Sequence, residues 1–267
     1  MKPPFPYSGG KTRVAQRIAA LLPPHQNYVE PFFGAGAVLL AKPPSKVETV
    51  NDLDGQITNF WRVLREQPEN LIRACALTPH AHAEYVDCRD HLDTGDAVER
   101  ARRLFCVQTQ AFAARKANHS GWRRQFVTGG GTPVPEYLAG YVDRLAGIAE
   151  RIQHVSIENM DALDFIKMYG VSPQVLVYAD PPYMDSARGP TQQYTHEMTD
   201  PARHETLIGL LGEIPAQVVL SGYRCGLYDS LLGGWERHDF PATNVTHGRR
   251  VESVWIKPDA RRQTVLF

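Results

Sequence analysis

The stretch VLVYADPPYMD, residues 175–185, decides how the rest of the chain is read. Val175, Leu176, Val177, Tyr178 and Ala179 make a short, wholly apolar run, the pattern of a strand buried on both faces of a parallel sheet. Asp180 is the first polar residue past its carboxyl end, where open parallel sheets hold their ligands. Pro181 and Pro182 fix φ and donate no backbone hydrogen bond, so their carbonyls stand as rigid acceptors. Tyr183 then offers an aromatic ring to whatever Asp180 holds. A carboxylate, rigid carbonyls and a flat face suit a planar ligand bearing an NH2 group, such as the exocyclic amine of a nucleobase. A helix N-cap or turn aspartate is the plainer alternative, and the two prolines weigh against it.

Five other runs share this character: NYVEPF (27–32), KVETVND (46–52), HVSIEN (154–159), AQVVLSG (216–222) and ESVWIKP (252–258). Helix-period segments lie between them. In TRVAQRIAALL the residues Val14, Ile18 and Leu21 share one face, and GQITNFWRVLRE and PARHETLIGLLGEI read the same way. This alternation predicts an α/β chain with a doubly wound parallel sheet. From about residue 61 to 152 the rhythm stops, leaving helices and loops without a buried strand. That segment reads as an insertion or second lobe, in which VTGGGTPVP (127–135) is loop by composition.

Composition sets outer bounds. The 267 residues suffice for one large α/β domain, or for one domain carrying an inserted module. A hydrophobic share of 43% excludes wholesale disorder. Lys+Arg and Asp+Glu are 29 each, so only local charge is informative. The four cysteines, Cys75, Cys88, Cys106 and Cys225, form no C-x-x-C pair and are too few for a disulfide scaffold. The opening MKPPFPYSGGK has no apolar run, so no signal peptide is expected, and no run approaches a membrane span. A soluble, cytoplasmic protein is the expectation.

Further stretches carry chemistry. In YVEPFFGAGAV (28–38) a strand runs into Phe33-Gly34-Ala35-Gly36, where glycines let a ligand approach the backbone. The next strand ends in Asn51-Asp52, which places a carboxylate where a ribose diol would be held. The pair implies an adenosine-containing ligand. In PYSGGKTR (6–13), Gly10-Lys11-Thr12 suggests a phosphate loop, but that motif needs a glycine where Phe5 stands. A glycine pair bringing Lys11 near a bound ligand is the better reading. From Arg100 to Pro135 there are seven Lys/Arg and no Asp or Glu, interleaved with Phe105, Phe112, Trp122 and Phe126. A solvated basic face is the bland reading; a nucleic-acid footprint is the sharper one. His80, His82, Cys88 and His91 have zinc-ligand chemistry but match no zinc spacing, so no metal is expected.

Together and in this order, PYSGGK, EPFFGAG, Asp52, Asn159-Met160-Asp161, DPPY, LSGY (220–223) and ESVWIKP resemble the Dam-type (class D12, alpha-group) DNA adenine-N6 methyltransferases. The likeness covers roughly residues 4–60 and 150–258. It implies a Rossmann-like doubly wound methyltransferase sheet with an inserted, mainly helical target-recognition lobe. Residues 1–60 and 150–267 would form the catalytic domain binding S-adenosyl-L-methionine (AdoMet), and 61–149 the DNA target-recognition lobe. By resemblance Tyr7, Lys11, Glu30, Phe33, Gly34, Gly36, Asp52, Asp161 and Asp180 bind the cofactor. Asp180, Pro181, Pro182 and Tyr183 act on an adenine flipped out of the duplex. Arg115, Lys116, Trp122, Arg123 and Arg124 contact DNA.

The family also implies double-stranded DNA as partner, a cognate restriction endonuclease as a candidate partner, a monomer and no membrane. Two departures stand out. Tyr7 replaces the commoner Trp, and NHSGWRRQFVTGGGTPVP bears little likeness to the hairpin of GATC readers, so a target other than strict GATC, or a relaxed one, is expected. An RNA adenine methyltransferase presents the same chemistry and stays open. A protein-glutamine methyltransferase would carry Asn at Asp180, and a silent DNA-binding relative would show a broken motif.

Overall fold

The computed structural model describes residues 1–112, 121–124, 132–183, 198–243 and 249–259. Seven strands form one sheet: β1 (Asn27–Glu30), β2 (Val47–Asn51), β3 (Val155–Glu158), β4 (Val175–Ala179), β5 (Gln217–Tyr223), β6 (Glu236–Thr243) and β7 (Arg249–Ile256). Their spatial order is β3-β2-β1-β4-β5-β7-β6. The first five are parallel, whereas β7 runs antiparallel to both β5 and β6. All six expected runs are strands. The seventh, ERHDFPAT, was not expected, because it is polar and holds a proline. Those are the marks of an edge strand, which must resist pairing with other chains. Its short connection to β7 allows only a hairpin, so this end of the sheet departs from the parallel expectation.

Helices α1 (Ala15–Leu21) and α2 (Ala37–Ala41) flank β1 in sequence. Between β2 and β3 come α3 (Gly55–Glu66), α4 (Pro68–Ala76), α5 (His82–Asp90), α6 (Ala97–Gln110), α7 (Val134–Val142) and α8 (Leu145–Arg151). Then α9 (Ala162–Tyr169), α10 (Pro201–Glu213) and α11 (Gly226–Leu231) follow β3, β4 and β5. Among the described residues, backbone pairing in the helical stretch is limited to a bridge between Ala111 and Trp122. The loop expected over 127–135 gives way to helix at Val134, where Pro133 and Pro135 fix φ for the first turn. No helix among the described residues is long and apolar enough to cross a membrane.

Alternation along the strands builds two cores. Tyr28 and Tyr178 face one side with Ile18, Leu39, Phe60, Trp61, Leu64 and Leu104. Val29, Val177 and Ala179 face the other with Phe165, Leu207, Leu211 and Trp255. Each buried Val, Leu, Ile or Phe among them contributes about 1.5–3 kcal/mol by leaving water. Helix α3 runs unbroken across residue 60, and its Phe60 ring stacks on Phe105 of α6. The helices between β2 and β3 thus share the first core with the sheet.

The chain adds β2 and β3 on one side of β1, then returns to place β4 on the other, with Asn27 opposite both Val47 and Val175. The strand order reverses there, and the parting loops leave a crevice beyond the carboxyl ends of β1 and β4.

Candidate active site

The turn after β1 forms one wall of that crevice. Gly34 and Gly36 have φ of +49° and +66°, a region that side chains resist. Space makes the same demand, because a Cβ on Gly34 would lie 2.8 Å from the Tyr7 ring and one on Gly36 would lie 2.7 Å from the Phe33 ring. Trp61 Nε1 donates to the Gly34 carbonyl at 2.8 Å. Asp52 receives the Gly34 N–H on Oδ2 at 2.8 Å and the Asp54 N–H on Oδ1 at 2.9 Å. Asn51, fully buried, clamps neighbouring strand ends: its Nδ2 donates to the Pro31 and Met160 carbonyls at 3.0 Å, and its Oδ1 accepts the Met160 N–H at 2.9 Å.

The opposite wall is the end of β4. Lys11, only 4% exposed, reaches across from the N-terminal turn. Its ammonium donates to Asp180 Oδ1 and Oδ2 at 2.6 and 2.8 Å and to the Gly9 carbonyl at 3.1 Å. It also meets the Tyr183 hydroxyl, which in turn donates to Glu252 of β7 at 2.9 and 3.2 Å. The Tyr183 ring is buried with its centroid 4.2 Å from that of Tyr223.

Burial governs the electrostatics here. It pushes the Asp180 carboxyl above the ordinary range, against the pull of the Lys11 ammonium. It raises Glu252 in the same way, with Lys11 again opposing. Glu30 is raised furthest from the ordinary carboxylate: burial dominates, the Tyr28 hydroxyl at 2.8 Å opposes it, and the Asp180 charge adds to it.

Between the walls lies a cavity of about 450 Å³, lined by Tyr7, Lys11, Glu30, Phe33, Gly34, Gly36, Asp52, Asp161 and Asp180. Every residue assigned to the cofactor from sequence therefore faces one space. Pro182 also lines it, whereas Pro181 and Tyr183 are buried beside it. Asp161 caps α9 through its Oδ1, which accepts the Leu163 N–H at 2.9 Å, and its Oδ2 pairs with Arg203. Other lining residues, among them Asp54, Tyr178, Met198 and Arg203, were not assigned to the site from sequence. Asp54 had a local signal as the cap of α3, where it accepts the Gln56 N–H at 2.9 Å. Met198 and Arg203 had none, since the fold alone brings them to the rim.

The basic stretch divides. Arg115 and Lys116 lie outside the described residues. The Trp122 indole donates to Gln110 Oε1 at 3.1 Å, and its ring stacks on His80 with centroids 4.5 Å apart. Arg123 lies over the Tyr137 ring at 4.6 Å, and its carbonyl is 2.9 Å from His80 Nε2. Arg124 is exposed. Arg102 pairs with Glu84 and Glu99, and Arg103 with Asp87 and Glu99. These acids lie just outside the acid-free window, so part of its positive charge is already neutralised. Of the candidate zinc residues, His80 and His82 pack on Trp122, Cys88 is buried near Glu84, and His91 pairs with Asp87.

A model of the family described as D12 class N6 adenine-specific DNA methyltransferase matches residues 7–236. The chain is 29% identical over 271 residues to the Type II methyltransferase M1.LlaDCHI of Lactococcus lactis subsp. cremoris, covering 95% of this chain and 92% of that protein. It is 32% identical over 68 residues to the DNA N-6-adenine-methyltransferase of Escherichia phage P1, covering 26% of this chain and 9% of that protein.

Proposed function

This chain belongs to the D12 class of N6 adenine-specific DNA methyltransferases, and from that premise we propose that it methylates adenine N6 in duplex DNA, using S-adenosylmethionine as donor and flipping the target base. One observation carries the reading. Asp180, followed by two prolines, opens on the same cavity as the Gly34–Gly36 turn and Asp52. An acceptor for an amine and a cradle for an adenosine-bearing donor thus share one space.

The residues present fit that donor. Gly34 and Gly36 turn the backbone itself toward the cavity, in a left-handed conformation that side chains resist. Asp52 offers carboxylate oxygens to ribose hydroxyls, Asp161 offers acceptors at the end of β3, and Glu30 and Asp180 offer negative charge to a cation. When bound, S-adenosylmethionine supplies an electrophilic methyl group on a sulfonium.

Asp180 and the Pro181 carbonyl accept the two N–H bonds of the adenine amine. Its lone pair, otherwise delocalised into the ring, is thereby aimed along the transfer axis, and positioning supplies much of the rate. The Asp180 carboxylate stabilises the positive charge forming on N6. Tyr183 stacks on the flipped base; because its ring now lies on Tyr223, a face must open toward the cavity for this. Residues 61–149 act as the target-recognition lobe, with Arg115, Lys116, Trp122, Arg123 and Arg124 as its DNA-facing set. The likeness to a Type II methyltransferase supports a cognate restriction endonuclease as partner, and we place the enzyme in the cytoplasm as a monomer.

The test is transfer of a tritiated methyl from S-adenosylmethionine to duplex DNA, single-stranded DNA and RNA, followed by digestion to nucleosides. N6-methyladenine from duplex DNA is expected, as is its loss in Asp180→Ala out of proportion to any fall in donor affinity. A label confined to RNA, or wild-type turnover by Asp180→Ala, would overturn the reading.

A further inference from the structure

Glu252 lies in no ligand-binding motif, yet it is 5% exposed and inside the network around Asp180. Its Oε1 is 3.5 Å from Lys11 Nζ, and both its oxygens accept the Tyr183 hydroxyl. Across the β5–β7 ladder it stands opposite Tyr223, the residue whose ring covers Tyr183. One pair of strands therefore delivers an acid to the Tyr183 hydroxyl and a ring to its face. A carboxylate buried in a strand is costly unless a cation and hydrogen bonds compensate. Neighbouring Val254 and Trp255 already supply the apolar burial that β7 needs. Sheet packing gives no reason for the acid; the network does.

The Lys11 ammonium poses a problem for the reaction. It sits on both Asp180 oxygens, the atoms that must accept the target amine. A second carboxylate 3.5 Å from the ammonium competes with Asp180 for it. We propose that Glu252 is a positioning residue for methyl transfer: it holds the Lys11 ammonium and the Tyr183 hydroxyl so that Asp180 keeps an oxygen for the adenine amine. This rests on the reading of Asp180 as that acceptor.

Among the described residues, the other charged or titratable groups facing the network include Glu30 of β1, Tyr178 of β4, Tyr223 of β5 and Tyr228 of α11, besides Lys11, Asp180 and Tyr183 themselves. Replacing Glu252 with Gln preserves shape and the acceptor for Tyr183 but removes one negative charge near Asp180. Lys11 then settles more fully on Asp180, and Asp180 ionises at lower pH.

Single-turnover methyl transfer to duplex DNA, measured against pH, tests this. For Glu252→Gln, donor affinity and the KM for DNA should stay within about twofold, while the rate at neutral pH falls about tenfold. The acidic limb of its rate profile should move to lower pH. Glu252→Asp keeps the charge with shorter reach, so it should recover part of the rate and show a smaller shift in the same direction. A wild-type rate and limb in Glu252→Gln would overturn the proposal, as would a lost rate with an unmoved limb. If Glu252→Gln does not fold, Glu252→Asp decides, and an unshifted limb overturns the proposal. Asp180→Asn separates the two readings. If it is dead while Glu252→Gln is normal, only the role of Glu252 falls; if it is active, the Asp180 reading falls as well.

Discussion

The Gly34 backbone N–H donates to the Asp52 carboxylate at 2.8 Å. The acid expected to hold a ribose therefore also braces the glycine turn that would face the donor. Its other oxygen holds the Asp54 N–H at 2.9 Å, and Asp54 in turn caps α3. Asp52→Ala should weaken donor affinity by about tenfold or more, roughly 1.4 kcal/mol. It should also destabilise the fold by about 1–2 kcal/mol, because two backbone donors lose their acceptor. Calorimetry and thermal melts report the two effects separately. Unchanged affinity would place the donor in another pocket.

Gly34 is required for two separable reasons, its positive φ and the Tyr7 ring against its α-carbon. Gly34→Ala should cost about 1–3 kcal/mol of stability from the backbone conformation alone, with the clash added. Pairing it with Tyr7→Ala should relieve the clash and leave the φ cost, so in thermal melts the double variant should lose less stability than the sum of the two single variants. Strictly additive losses would mean that Tyr7 and Gly34 do not meet.

Glu30 gives a pH-dependent prediction. Its folded carboxyl is held well above the ordinary value of 4.5, chiefly by burial. Below about pH 4.5 it is protonated in both folded and unfolded chains and costs nothing. As pH rises, the unfolded chain loses its proton first, so stability falls until the folded group ionises as well. Glu30→Gln keeps an acceptor for the Tyr28 hydroxyl and removes this cost. It should therefore melt at a higher temperature than wild type near pH 7, by an amount on the order of 1 kcal/mol or more, with the difference vanishing toward pH 4. Donor affinity should fall in the same variant, since a cation loses a carboxylate. A stability gain independent of pH would rule out ionisation as its cause.

These residues were legible because each cavity-facing group lies within a few positions of the strand end that aims it. Asp180 follows β4, Asp52 follows β2 and Gly34 follows β1, so a short quotation contains both the strand and its cargo. Glu252 and Tyr223 could not be found in this way. They reach Tyr183 only because β7 folds back beside β5, and nothing local to ESVWIKP tells a buried network acid from an edge charge. Strand β6 escaped for the converse reason: an edge strand avoids the apolar pattern by which strands are recognised. The basic stretch misled through its borders. Glu84, Asp87 and Glu99 lie outside it in sequence but against Arg102 and Arg103 in space.

That last arrangement sharpens the prediction for DNA. Arg103 already spends its guanidinium on Glu99 and Asp87, and Arg123 lies over Tyr137, whereas Arg124 is exposed. An arginine committed to carboxylates must give them up before it can reach a phosphate. An exposed one gains the phosphate and releases a counterion directly. Arg103→Ala should thus leave DNA affinity within about twofold and act mainly on stability, since paired surface charges are worth about 0–1 kcal/mol. Arg124→Ala should weaken binding. If Arg124 clamps a phosphate, the loss will be equal on all sequences and the salt dependence will flatten by about one ion. If it reads a guanine edge, the methylated motif will relax at a single position while the salt dependence holds. Fluorescence anisotropy across a salt series separates the two, and methylation maps from cells expressing each variant identify the position. Should Arg103→Ala lose as much affinity as Arg124→Ala, exposure would not be what selects the DNA-facing arginines, and the surface would have to be drawn around α6 instead.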